Sequence, residues 1–288
     1  MRLACLLLLG LLSASSCHRP PPPSPHYALG RPYQAGGVWY YPSESYEARE
    51  TGLAMVYPRG HPNLTADGET FDPSALAAAH QTIQLPAVAR LTNLQNGLQV
   101  VVRINDRGPA TPHRLIEVTP RVAALLRFSD GDAVRVRLEV LPAESHAAAD
   151  DLPGAPRLEL AAAPVGAVER ADLPPPGAAG PAASSPAPEP RRESPATSPI
   201  APLPETVTQG VPDPGQLFIQ LGTFQNYQYA SIQRARVAKL GATIVSAREG
   251  RQQTHRVMIG PLANVQQADM TLDQVLQAGV TDARIVVE

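Results

Sequence analysis

Residues 98–109 constrain the fold more than any other stretch of this chain. Leu98, Val100, Val102 and Ile104 alternate with Gln99, Val101, Arg103 and Asn105, the period-2 pattern of a strand with one buried face. The run stops at Asn105-Asp106-Arg107-Gly108-Pro109. Asn and Asp tolerate turn geometry and proline cannot donate to a sheet ladder, so a tight turn ends the strand. Asp106 is thereby held at a rigid strand end beside Arg107. Two readings stand here: a carboxylate placed for chemistry, or a turn residue paired with an arginine. Asn96-Gly97 is a hairpin signal joining this strand to one over 87–93. Further strand patterns lie at 52–57, 114–119 and 133–141, with short helices expected over 73–80 and 120–126. Short strands with small helical inserts predict a compact β-barrel over 51–142.

Proline usage sets the remaining organisation. The 288 residues carry 32 prolines, about twice ordinary usage, concentrated near the N-terminus and over 143–214. That pattern divides the chain into folded pieces joined by spacers. Residues 143–214 are Ala-, Pro- and Ser-rich, so they bury too little apolar surface to offset ordering entropy and are expected to be disordered. Net charge is −2, Lys239 is the only lysine, and the arginines are interspersed with acids, which argues against nucleic acid as a partner. Cys5 and Cys17 offer no staple within a fold, and seven scattered histidines show no metal-ligand spacing. No metal or other cofactor is expected.

Met1-Arg2 and the apolar run 3–12 are too short for a membrane span and right for an export signal over 1–16. Ala14-Ser15-Ser16-Cys17 resembles a bacterial lipobox, which implies an acylated Cys17 anchoring the chain to a membrane; the other reading is an ordinary cleaved signal with an incidental thiol. His18, rather than Asp, follows that cysteine and points to the outer membrane, facing the periplasm. A proline-rich tether and an aromatic segment, Gly30-Arg-Pro-Tyr followed by Val38-Trp-Tyr-Tyr-Pro42, complete residues 17–50. The aromatics are expected to pack on the main domain, with sugar stacking as the other use.

Polar residues cluster in Thr65-Ala-Asp-Gly-Glu-Thr-Phe-Asp72. Asp72-Pro73 reads as a helix N-cap with proline at the first helical position. Glu69 follows an Asp67-Gly68 turn, as a surface acid or a working one. His80 ends an alanine-rich stretch, either packed or capping a helix or working in a site. This cluster, then Ala77-Ala-Ala-His-Gln-Thr82, Ala89-Arg-Leu-Thr-Asn93 and Val100-Val-Val-Arg-Ile-Asn-Asp-Arg-Gly-Pro109, occur in one order. Together they resemble the rare lipoprotein A (RlpA) family, over about 52–141. The resemblance implies a double-psi β-barrel and a peptidoglycan lytic transglycosylase, with Glu69, His80 and Asp106 as its acid, histidine and aspartate and Asp72 as a further acidic position. Thr65 and Arg107 join them as candidate substrate contacts. In such an enzyme one carboxyl serves as acid and then base; Asp106 is assigned that role, with Glu69 raising its pKa by proximity, or the reverse. His80 would then orient a carboxylate or bind the sugar N-acetyl group. Val56 stands where the family pattern has Trp, and Glu117 where it has Asp.

Residues 215–288 regain regular patterning: strands at 217–221, 243–247, 255–260 and 283–287, helices at 229–240 and 265–278. That is a β-α-β-β-α-β order, a four-stranded sheet backed by two helices, of ferredoxin or RNP type. Phe218-Ile-Gln-Leu-Gly-Thr-Phe224 and Arg256-Val-Met-Ile-Gly-Pro261 resemble a SPOR domain. The resemblance implies binding to glycan strands stripped of stem peptides, which mark the division septum. Gln220, Thr223, Phe224, Asn226 and Arg256 are the candidate sugar contacts, with Phe218 and Phe224 equally suited to the core. The whole chain reads as mostly β plus α+β. It is expected to cut denuded septal glycan to 1,6-anhydromuramyl ends, with other septal proteins as possible partners. The alternative is a septal glycan-binding lipoprotein that does not cut.

Overall fold

The fold is that of a computed structural model, which describes residues 22–35, 38–109, 111–156, 203–249 and 252–288. The export signal expected over 1–16, Cys17 and residues 157–202, where the linker's disorder was expected, lie outside them. β1 (Tyr33–Ala35) and β2 (Val38–Tyr40) form an antiparallel hairpin. Tyr33 and Tyr40 stack at 5.4 Å, and the Tyr33 hydroxyl donates to the carbonyl of Gln81 at 2.9 Å. The aromatic segment is thus anchored by Tyr33, while Trp39 and Tyr41 stay exposed.

Six strands follow: β3 (Arg49–Val56), β4 (Ala77–His80), β5 (Ala87–Asn93), β6 (Leu98–Asp106), β7 (Ile116–Val118) and β8 (Val134–Val140), with α1 (Pro120–Leu126) after β7. They run in the order β4-β7-β3-β8-β5-β6, and β6 returns to pair with β4, closing the barrel. The β3–β7 and β4–β6 pairs are parallel and the others antiparallel. This is the double-psi β-barrel expected. Its core holds the alternating residues of β6, Val100, Val102 and Ile104, against Leu91, Val118 and Leu138. The α1 helix is N-capped by Thr119, with Pro120 at its first turn.

The helix expected over 73–80 does not form. Ala77–His80 is β4, buried along its whole length and hydrogen-bonded on both edges, parallel to β6 and antiparallel to β7. Alanine favours helices in isolation. Here its small side chain lets β4 run between two other strands inside the barrel, and pairing on both edges outweighs local preference. Asp72-Pro73 is accordingly a turn, not a helix N-terminus.

Secondary structure extends into both ends of the 143–214 segment. α2 (Pro142–Ala149) is tied to the barrel through Ser145, whose hydroxyl accepts from the Val88 amide at 2.9 Å and meets its carbonyl at 3.1 Å. β9 (Thr208–Gln209) pairs with β6. The C-terminal elements are β10 (Leu217–Phe224), α3 (Tyr227–Arg236), β11 (Thr243–Glu249), β12 (Gln252–Leu262), α4 (Val265–Gln277) and β13 (Arg284–Val287). Their order is the expected β-α-β-β-α-β, in an antiparallel sheet β11-β12-β10-β13. Leu217, Ile219, Leu221, Val257 and Ile259 meet Leu272 of α4 in its core. Barrel and C-terminal domain form one compact unit. Arg114 reaches Asp269 of α4 at 2.7 and 3.0 Å, and the Thr51 hydroxyl donates to the Val287 carbonyl at 2.8 Å.

Candidate functional site

The end of β6 carries the site. The β4–β6 pairing skips a residue between Ile104 and Asp106, so the strand is irregular where the acid emerges. Asp106 is buried, and its two oxygens are treated differently. Oδ1 accepts the backbone N–H groups of Ala66 and Arg107, both at 2.8 Å. Oδ2 instead faces the Nε2 of His61 at 2.8 Å. Burial raises the Asp106 pKa, against the opposing effect of those two N–H groups and of His61. Tyr57, at the end of β3, is buried beside it. Burial, and then the charges of Asp106, Glu117 and Asp67, push its phenol far up, so it stays protonated. The His61 ring packs at 4.2 Å from Phe71 and 4.8 Å from Tyr57.

The 65–69 loop closes over this strand end. The Asp67 amide donates to the Asn105 carbonyl at 3.3 Å, and the Thr65 hydroxyl donates to Asp67 Oδ1 at 2.7 Å. Glu69 is gripped by β6: Oε1 accepts from the Arg103 guanidinium at 2.6 and 2.8 Å, and Oε2 accepts from the Asn105 side-chain Nδ2 at 2.7 Å. Arg103 and Asn105 are alternate residues, so one side of the strand holds the carboxylate. The expectation that Glu69 raises the Asp106 pKa is therefore corrected. Burial does that, and the charge of Glu69 acts on Asp67, whose carboxyl is pushed up to about 7 by burial first and Glu69 second.

Other expected site residues are spent within the fold. Asp72 is exposed, and its carboxylate accepts from the amide and hydroxyl of Ser74 at 2.8 and 2.6 Å, which hold it below the usual carboxylate range. His80 is enclosed at the end of β4. Its Nδ1 accepts the amides of Thr82 and Ile83, both at 3.2 Å, and its Nε2 lies 3.9 Å from Glu50. Burial pulls its pKa down to about 4, so the ring is neutral and aimed toward Glu50 rather than Asp106. The Arg107 guanidinium donates to the carbonyls of Ile83 and Leu29 at 2.6 and 2.8 Å. In the C-terminal domain, Gln220 donates to Thr223 at 3.0 Å, Thr223 pairs across strands with Arg256, and Arg256 pairs with Glu288. Those three come together. Asn226 instead N-caps α3, and Phe224 packs against the core.

His61, Tyr57 and Asp67 were not singled out from sequence. Tyr57 keeps the tyrosine of the family pattern, which was its available signal. His61 lies in an ordinary Gly60-His61-Pro62 loop, and nothing in its spacing ties it to Asp106. Val56, which replaces the family Trp, is buried in the barrel core and so packs rather than facing a sugar.

An N-terminal strap braces the acidic loop. The Ser24 and His26 amides donate to the Gly68 and Asp67 carbonyls at 2.9 and 2.8 Å, and Arg107 holds the carbonyl of Leu29. Gly68 has φ +81, and a Cβ there would sit 2.2 Å from the Ser24 carbonyl oxygen. Gly60, at φ +84, has open space around it. Gly60→Ala should therefore cost about 1 kcal/mol from backbone strain alone. Gly68→Ala should cost more than twice that and expose residues 22–29 to protease; thermal unfolding and limited proteolysis of the two variants make the comparison.

Comparisons with known proteins cover both domains. A family described as lytic transglycolase matches residues 49–138, and the SPOR domain family matches residues 213–285. The endolytic peptidoglycan transglycosylase RlpA of Pseudomonas aeruginosa is 32% identical over 279 residues, spanning 92% of this chain and 79% of that protein. The protein of the same name from Yersinia pestis is 47% identical over 88 residues, 30% of this chain and 24% of its own. The crystal structure of the Pseudomonas aeruginosa RlpA SPOR domain matches at 25% identity and TM-score 0.24, over 25% of this chain and 99% of its own. With both domain families matched in order, and one relative similar across nearly its whole length, this chain belongs to the RlpA family.

Proposed function

We propose that this protein is an endolytic peptidoglycan transglycosylase with Asp106 as its acid and base. The supporting observation is the asymmetry of that carboxyl: Oδ1 is pinned by two backbone N–H groups, while Oδ2 faces the His61 ring nitrogen at 2.8 Å, in a buried setting that raises the carboxyl's pKa. Protonated Asp106 gives its proton to the leaving glycosidic oxygen as the C1–O4 bond of the muramyl sugar breaks. The carboxylate then takes the proton of the C6 hydroxyl of that sugar while O6 bonds to C1. The acid is regenerated, water is not consumed, and a 1,6-anhydro end results. The neighbouring carboxylates favour the oxocarbenium-like state that separates the two steps. Glu69, held by Arg103 and Asn105, keeps the 65–69 loop and its Ala66 amide on Asp106.

The C-terminal domain supplies glycan binding through Gln220, Thr223 and Arg256, directing the barrel to strands without stem peptides at the septum. Acylation at Cys17 would hold the protein to the outer membrane. The test is incubation of the full chain with amidase-stripped glycan and with intact sacculi, reading anhydromuramyl ends by mass spectrometry. Products from stripped glycan alone support the reading. Glycan that co-sediments with the protein, with no anhydro ends at any pH, would leave a binding lipoprotein instead.

A further inference from the structure

His61 has a hydrogen-bonding constraint that bears on how Asp106 works. Its Nδ1 lies 2.8 Å from the Pro62 carbonyl oxygen. A carbonyl only accepts, so Nδ1 carries a proton. In a neutral imidazole the other nitrogen, Nε2, then presents a lone pair. That lone pair faces Asp106 Oδ2 at 2.8 Å. Two acceptors do not rest at that separation without a proton between them. The ring cannot swing away cheaply, because Phe71 and Tyr57 pack against it at 4.2 and 4.8 Å and its side chain is 14% exposed.

We infer that His61 is a positioning residue for Asp106, the two sharing one proton along the Oδ2–Nε2 edge. The inference rests on the reading of Asp106 as acid and base. The pair, rather than the carboxyl alone, then lends its proton to the leaving oxygen and recovers one from the C6 hydroxyl. Loss of that proton disables the acid step. A second proton gives imidazolium beside the carboxylic acid; once that acid has given its proton to the leaving oxygen, imidazolium remains beside the carboxylate and weakens the base step. Such a pair titrates in two macroscopic steps that belong to both groups. The other titratable groups around it are Tyr57, just after β3, with Asp67 and Glu117 acting on that phenol, and Arg107 next in the chain. Tyr57 and Arg107 keep their protons throughout, and Asp67→Asn removes the overlapping step of Asp67.

The experiment uses full-length Asp67→Asn protein carrying 13Cγ-labelled aspartate, with the Asp106 signal assigned by its loss in Asp106→Asn. The Asp106 carboxyl should titrate in two steps, and in one when His61→Phe is added, which keeps the ring stack without the nitrogens. The kcat profile against pH should be bell-shaped with His61. His61→Phe should lose the acid limb and about 100-fold in kcat, with KM little changed. His61→Gln, a neutral residue that can still bond to Oδ2, should recover part of kcat but not the limb. A lower rate with an unchanged bell is what a merely structural ring would give, and it overturns the inference. So does single-step titration of Asp106 with His61 present. Two-step titration in a protein that forms no anhydro ends would keep the pair and remove the cleaving function.

Discussion

Asp106→Asn should lower the formation of anhydromuramyl ends by about a thousandfold or more while leaving the barrel folded. General acid–base groups each contribute about 100- to 10,000-fold, and Asp106 is asked to serve in both proton transfers. The amide keeps an oxygen for the Ala66 and Arg107 N–H groups, so the bonds that shape the strand end survive. What disappears is the proton on Oδ2. Thermal unfolding should therefore shift little, and binding to stripped glycan should be retained. In the wild-type enzyme the rate should decline as pH rises through the raised pKa of Asp106, because the acid step needs the protonated form. A variant that cuts at more than a tenth of the wild-type rate would move the acid elsewhere, with Asp67 the next carboxyl to test.

Asp67→Asn should stabilise the protein in mildly alkaline solution and do little in acid. The Asp67 carboxyl is pushed up to about 7 in the fold, whereas an unfolded aspartate titrates near about 4. Between those values the folded state binds the extra proton. Stability contributed by this group is thus present below the unfolded value and is lost as pH rises toward the folded one. Asparagine keeps the oxygen that accepts from Thr65 and Glu69 and removes the charge, while no hydrogen bond to Oδ2 is present among the described residues. A gain of about 1–3 kcal/mol at pH 8 follows from a shift of this direction. It should appear as a rise of several degrees in Tm at pH 8 and none at pH 4. An equal change at both pH values would mean that packing, not charge, governs the site.

The strands were legible where a two-residue alternation coincided with a turn signal. β6 and its hairpin with β5 are the clearest case, and β10 to β13 with their helices follow the same logic. The 77–80 segment was not legible, because alanine repeats carry helix preference locally and only the closed barrel supplies pairing on both edges. Asp106 was singled out from its place at a strand end, and that placement holds. Its partner His61 was not, since a histidine between Gly60 and Pro62 announces a loop and nothing more. Glu69 was singled out as well, but the residues that hold it, Arg103 and Asn105, read locally as the solvent side of an amphipathic strand. His80 shows the converse: the resemblance marked it as a site residue, and its surroundings place it under Glu50, bound to two backbone amides.

The strap of residues 24–29 also gives the molecule a mechanical polarity. It meets the acidic loop through two short backbone bonds, at Gly68 and Asp67, close to the N-terminal edge of the described residues. A pull from the N-terminal side would be borne first at those bonds, before any barrel strand is loaded. A force applied to residue 24 from that side is therefore a force on the peptide that carries the Ala66 amide to Asp106.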